Sequence, residues 1–234
     1  MIENGRKQKG MWDKNKIIAG HLEGNFSEDD TLEGEVSDFL KTLLPKCNIF
    51  MDIGANVGYY TRLALNYMDW ENSKIYSFEP DHILFSYLYE KYGTNKNVVL
   101  SSLAISDRFG REKFFISDEA SSGSFLQIYP THYEIEIETT TIDKILEIND
   151  DSKIIIKIDV EGGEMKCVEG ATRTLQKLRP LLIIEIHDGF LQKIGLTRYD
   201  IIAYIYKFSY TSLQLDGQHL LFVPKEKLSY NISL

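Results

Sequence analysis

Apolar residues in this chain gather in short blocks set off by polar punctuation. Ile49–Ile53, Ile75–Phe78, Val98–Leu103, Ile154–Ile158 and Leu181–Ile186 are apolar over most of their length. Runs of that size, bounded by turn residues, suit strands buried on both faces. Between them the spacing becomes helical. Leu32, Val36, Phe39, Leu40, Leu43 and Leu44 predict a helix over Asp29–Leu44, stopped by Pro45. Further helices are expected over Val57–Met68, His82–Tyr92 with Asp81 as its cap, Glu164–Leu178, and Arg198–Lys207 with Thr197 as its cap. A shorter one runs from Thr141 through Glu147. Glu112–Ser117 and the alternating stretch Ile135–Thr141 read as additional strands. Tyr210–Leu215 and Leu220–Val223, joined through Asp216-Gly217, read as a hairpin. The order of these elements predicts an α/β fold, a parallel sheet closed by an antiparallel pair.

Composition narrows the setting. The chain has 234 residues and 43% hydrophobic residues, consistent with one large domain and a sizeable core. A net charge of −9 argues against broad phosphate-backbone binding, so no nucleic-acid partner is expected. Cys47 and Cys167 form no C-x-x-C motif, which points to a reducing compartment rather than a disulfide framework. With no apolar run long enough for a membrane span and no leader-like start, a soluble cytoplasmic protein is expected. Residues 1–16, with five Lys/Arg and Trp12 as the one large apolar anchor, read as a loose N-terminus. Asp118–Pro130, which contains Ser121-Ser-Gly-Ser124, reads either as a substrate loop or as a solvated connection.

The chemistry concentrates at the ends of the predicted strands. Ile49–Ile53 runs into Gly54-Ala-Asn-Val-Gly58, a strand–turn–helix unit of nucleotide-binding type. A dinucleotide fingerprint would need glycine where Asn56 and Tyr59 stand. Asp52 would also oppose a pyrophosphate and suit an ammonium. The methionine and adenosine halves of S-adenosylmethionine meet that requirement, with an ammonium, a sulfonium and no phosphate. Glu79, at the end of the second strand, has the position from which a carboxylate reaches ribose hydroxyls. Ala104 leaves room for a flat adenine, and Ser106-Asp107 either reaches the base edge or starts a turn. Asp159 and Glu161 are spaced to emerge on one side of the strand end. Either can take a proton from an acceptor or cap the helix that follows. Glu185-Ile-His187 repeats that arrangement, with His187 as a base near neutral pH.

Several stretches, taken together and in order, resemble the FkbM family of S-adenosylmethionine-dependent methyltransferases. They are Phe50-Met-Asp-Ile-Gly-Ala-Asn-Val-Gly-Tyr-Tyr-Thr61, Phe78-Glu-Pro80, Leu103-Ala-Ile-Ser-Asp107, Thr140-Thr-Ile-Asp143, Lys157-Ile-Asp-Val-Glu-Gly162 with Glu169-Gly-Ala171, Ile184-Glu-Ile-His187 and Leu221-Phe-Val-Pro-Lys-Glu226. The likeness covers roughly residues 45–226. It implies a Rossmann-like class I methyltransferase fold, a seven-stranded, mostly parallel sheet with an antiparallel last strand. Residues 45–234 would be the methyltransferase domain and residues 1–44 an extension with a covering helix.

The resemblance also implies methyl transfer that leaves S-adenosylhomocysteine, usually on an oxygen of a sugar, a glycan or a natural product. Asp52, Gly54, Asn56 and Gly58 would hold the methionine part and Glu79 the ribose. Ala104, Ser106 and Asp107 would border the adenine, and Asp159 and Glu161 would lie near the methyl. Asp159 is the first candidate base and His187 the second. No metal ligand is assigned, although a divalent metal on Asp159, Glu161 and Glu185 would acidify a hydroxyl in their stead. Rival readings are a non-catalytic protein that binds S-adenosylmethionine, an NAD-linked oxidoreductase and a nucleic-acid methyltransferase, the last disfavoured by the −9 charge. Oligomeric state stays open.

Overall fold

The computed structural model describes residues 34–116, 123–127, 133–147 and 152–228. The expected loose N-terminus, the start of the Asp29–Leu44 helix and most of the Asp118–Pro130 loop lie outside the described residues.

A seven-stranded sheet runs in the order β3-β2-β1-β7-β8-β10-β9. Its strands are β1 (Ile49–Ile53), β2 (Lys74–Phe78), β3 (Val98–Ser101), β7 (Ile154–Ile158), β8 (Leu181–Glu185), β9 (Tyr210–Gln214) and β10 (His219–Pro224). β1 pairs in parallel with β2 and β7, β2 with β3, and β7 with β8. β10, the last strand, is antiparallel to both β8 and β9. This is the expected fold class. The β9–β10 hairpin turns at Asp216, whose Oδ1 accepts from the amides of Gln218 and His219 at 2.8 Å each.

The sheet buries both faces, and the period of two sorts its residues. Met51, Ile53, Ile156, Ile158, Leu182 and Ile184 join one apolar cluster. There they meet Cys167 and Val168 of α5 (Glu164–Glu169), Leu175 of α6 (Thr172–Lys177), and Ile201 and Ile205 of α8 (Arg198–Tyr206). Phe50, Ile155, Leu181, Ile183, Leu221 and Val223 join the other. They pack with Val36, Leu40 and Leu43 of α1 (Gly34–Leu43) and with Leu63 and Ala64 of α2 (Tyr59–Tyr67). The described part of the N-terminal extension therefore shares the core of the sheet domain. No helix among the described residues is long and apolar enough to cross a membrane.

Elements differ from expectation where the pattern was locally weak. The strand expected over Val98–Leu103 is shorter: β3 stops at Ser101, and beyond it Ala104–Ile105 forms β4 of a second sheet. That sheet, β4-β6-β5, also holds β5 (Gly110–Ile116) and β6 (Tyr133–Thr140). The helix expected over Glu164–Leu178 breaks at Gly170-Ala171 into α5 and α6. A Cβ on Gly170 would stand 2.1 Å from the carbonyl oxygen of Ser106, so the close approach requires glycine. α3 (His82–Tyr92) matches its prediction, α4 spans Ile142–Ile145, and α7 (Asp188–Lys193) was not expected.

Candidate active site

The carboxyl ends of β1, β2 and β7 open onto a cleft. Its wall includes Gly54, Asn56, Glu79, Ala104, Phe114, Gly123, Phe125, Asp159 and Glu161. Five of the sequence-predicted site positions besides Asp159 thus meet on one cavity: Gly54, Asn56, Glu79, Ala104 and Glu161. No Lys, Arg or His stands among the described lining residues.

The β1 turn is shaped by its neighbours. The amides of Gly54 and Ala55 donate to the Phe78 carbonyl at 3.0 and 2.9 Å, tying the end of β1 to that of β2. The Asp159 amide donates to the Ile53 carbonyl at 2.9 Å, which ties in β7. Gly54 has φ +82°, and a Cβ there would lie 1.8 Å from the Asp159 carbonyl oxygen. Only glycine meets both conditions.

Glu79 is buried, 5% exposed, yet it lines the cleft. Its carboxylate accepts from the Asn56 amide at 2.8 Å and the Asp81 amide at 2.9 Å. Burial, seconded by the Asp81 charge, pushes its pKa up to about 8 against those two amides. Each oxygen keeps a further lone pair for a donor in the cleft.

Asp52, Gly58, Ser106, Asp107 and His187 are not on the described cleft wall. Asp52 shares a sheet face with Phe50 and lies buried under α2, where it accepts from the Thr61 hydroxyl at 2.7 Å. Burial raises its pKa to about 6. Gly58, φ +87°, caps α2, and a Cβ on it would meet Leu88 and Tyr92 at 2.7 Å. The buried Ser106 hydroxyl donates to Glu112 at 2.6 Å, and Asp107 pairs with Arg108 at 3.6 Å.

Asp159 and Glu161 reach the cleft by a different route from strand alternation. β7 ends at Ile158, and Glu161 sits in the following turn with φ +51°. The Ser124 hydroxyl donates to the Glu161 carbonyl at 2.6 Å, docking the described residues 123–127 against this turn. Phe125 closes over Gly163, where a Cβ would meet its ring at 2.9 Å.

Beside Asp159 lies a charged cluster. His187 Nδ1 is 3.0 Å from Glu164 Oε1, and its Nε2 is 3.5 Å from Glu185 and 3.9 Å from Glu161. Burial works against its positive charge, but these carboxylates outweigh burial and push its pKa up to about 11. The same contacts, with His219 Nε2 at 3.1 Å, hold Glu185 well below the usual carboxylate range despite burial. Burial raises the Asp159 pKa, against the pull of Lys157. Sequence reasoning passed over Lys157. Its signal is a lysine inside an otherwise all-isoleucine strand, Ile154–Ile158.

Residues 52–216 match the model of the "Methyltransferase FkbM domain". The hexuronic acid methyltransferase AglP of Haloferax volcanii is 27% identical over 163 residues, which are 68% of this chain and 64% of that protein. The chain thus spans less than two thirds of this relative. Among solved structures, the FkbM methyltransferase of Methylobacillus flagellatus KT superposes with a TM-score of 0.52 at 18% identity. That match covers 76% of this chain and 44% of the other, and it bears on the fold alone. With the family model matching well over half of its length, the chain belongs to the FkbM methyltransferase family.

Proposed function

We propose that the chain transfers a methyl group from S-adenosylmethionine to an oxygen of a sugar or glycan. The observation that carries this reading is one cleft that joins a glycine turn, a buried carboxylate at the end of β2 and an acidic pair after β7. The residues fit the cofactor. Gly54 lines the cleft beside Asn56, Glu79 keeps acceptor capacity, and the described wall offers no basic side chain to a phosphate. When bound, S-adenosylmethionine supplies an electrophilic methyl on its sulfonium.

The chain's own residues supply positioning and proton removal. Glu79 accepts from the ribose hydroxyls. Gly54 and Asn56 face the methionine part, with Asp52 and Gly58 holding the turn from beneath. Ala104 borders the adenine, while Ser106 and Asp107 support that edge from outside the wall. Asp159, its basicity increased by burial, takes the proton of an acceptor hydroxyl, with Glu161 beside it. His187, held as an imidazolium, contributes charge rather than a free base. The sugar class draws support from the name of the Haloferax relative.

The test is incubation of the full chain with methyl-labelled S-adenosylmethionine and p-nitrophenyl glucuronide or p-nitrophenyl glucoside. Label on the glycoside with equimolar S-adenosylhomocysteine is the expected result, and alkali separates a methyl ester from a methyl ether. Cofactor binding without label on any glycoside would contradict the sugar assignment.

A further inference from the structure

Lys157 is a fully buried charge beside the cleft, its side chain 1% exposed in the middle of the sheet. An ammonium there forgoes its hydration, so an apolar strand retains one only where nearby groups compensate. The compensation is visible. Nζ stands 3.2 Å from Asp159 Oδ2 and 3.6 Å from Glu185 Oε2. It also lies 4.6 Å from the centroid of the Tyr60 ring, a cation–π separation.

The same two carboxylates, with His187, offer three ligand atoms within 4.8 Å of one another. Three donors so close together suit a shared divalent cation. Here, however, a fixed positive charge already contacts two of them. The His187 imidazole adds a second cationic group between Glu164 and Glu185.

We propose that Lys157 is the resident cation of this cleft: its ammonium, in place of a divalent metal, holds the Asp159 and Glu185 carboxylates at the strand ends. Lys157 is then a positioning residue that acts through Asp159. What Asp159 does in turnover rests on the methyl-transfer reading above. How it is held does not.

The test uses the full chain, stripped with EDTA and desalted, and follows added MnCl2 by electron paramagnetic resonance. Wild type should leave the free-ion signal undiminished. Lys157→Met should bind Mn2+ at least about tenfold more tightly than wild type, a conservative figure for removing one charge about 4 Å away at an effective dielectric of about 20. Adding Asp159→Asn to that variant should release the ion. This spectroscopic change is one that a merely space-filling lysine would not produce.

Tight Mn2+ binding by wild type, lost in Asp159→Asn, would overturn the proposal. A folded Lys157→Met variant that binds no better than wild type would do the same. If Lys157→Met does not fold, Lys157→Met/Glu185→Gln should, because one of the two carboxylates that Lys157 contacted is then neutral. Failure of both to fold contradicts the proposal. Calorimetry of wild type with S-adenosylhomocysteine runs alongside: absence of heat sinks the methyl-transfer reading and leaves the manganese result standing by itself.

Discussion

Glu79 gives the cleft a pH dependence of defined sign. Burial raises its pKa to about 8, so at neutral pH the empty cleft keeps a proton on this carboxyl. Ribose hydroxyls donate to the ionised form and so favour proton loss. Binding of S-adenosylhomocysteine near pH 7 should release up to about one proton per site, seen as a binding enthalpy that varies with the ionisation enthalpy of the buffer. Affinity should climb as pH approaches 8 and level off above it; a flat profile would remove Glu79 from the ribose role. Asp159 is tested by chemistry. With a hydroxyl acceptor, Asp159→Asn should lower kcat by about 10²- to 10⁴-fold while the KM for the cofactor stays nearly constant. Undiminished turnover on such an acceptor would take the base role away from Asp159. Most of these groups were legible in the sequence because strand ends announce themselves by a carboxylate after an apolar run. The orientation of Asp52 was not. Which face it joins depends on the pleat, and only the packing of α2 shows its carboxylate bonded to Thr61. Lys157 was overlooked because strand patterning treats one lysine among isoleucines as an interruption, not as a buried charge.

At the scale of elements, the family-like stretch Thr140-Thr-Ile-Asp143 is a structural device. Asp143 accepts from the Arg173 and Thr174 amides at 2.8 and 2.7 Å, capping α6 from another part of the chain. Its own amide donates to the Gly170 carbonyl at 3.0 Å, at the break between α5 and α6. Asp143→Ala should cost about 1–2 kcal/mol of stability, read as a lower denaturant midpoint, with cofactor affinity unchanged. A loss of affinity without a loss of stability would place Asp143 in the binding machinery instead. The central strands were readable because four of the five residues in each of β1, β7 and β8 are apolar and the strands are buried on both faces. The second sheet was readable only in part: strands were expected over Glu112–Ser117 and Ile135–Thr141, where β5 and β6 lie, but β4 and its pairing were not. β4 has two residues, and its partners lie far along the chain, Ala104 opposite Thr139 and Ile105 opposite Thr140. No local periodicity encodes such a pairing. The α5–α6 break was missed for a similar reason: the contact that demands Gly170 comes from Ser106.

Across the whole molecule, two apolar clusters sandwich one sheet, and the cleft opens where the parallel strands end. That is where open α/β sheets place their ligands. Both cysteines are inside this frame, and burial pushes the Cys47 thiol up to about 12 and raises Cys167 as well. The native protein should therefore release no chromophore from Ellman's reagent, and the unfolded chain should release two equivalents. Rapid reaction of the native state would mean that the core opens readily. The most direct test of the central claim is titration calorimetry of the full chain with S-adenosylhomocysteine, comparing wild type with Glu79→Ala. The account predicts one binding event per chain that weakens at least about tenfold when the buried carboxylate is lost. No heat from wild type, or equal affinity in the variant, would contradict it.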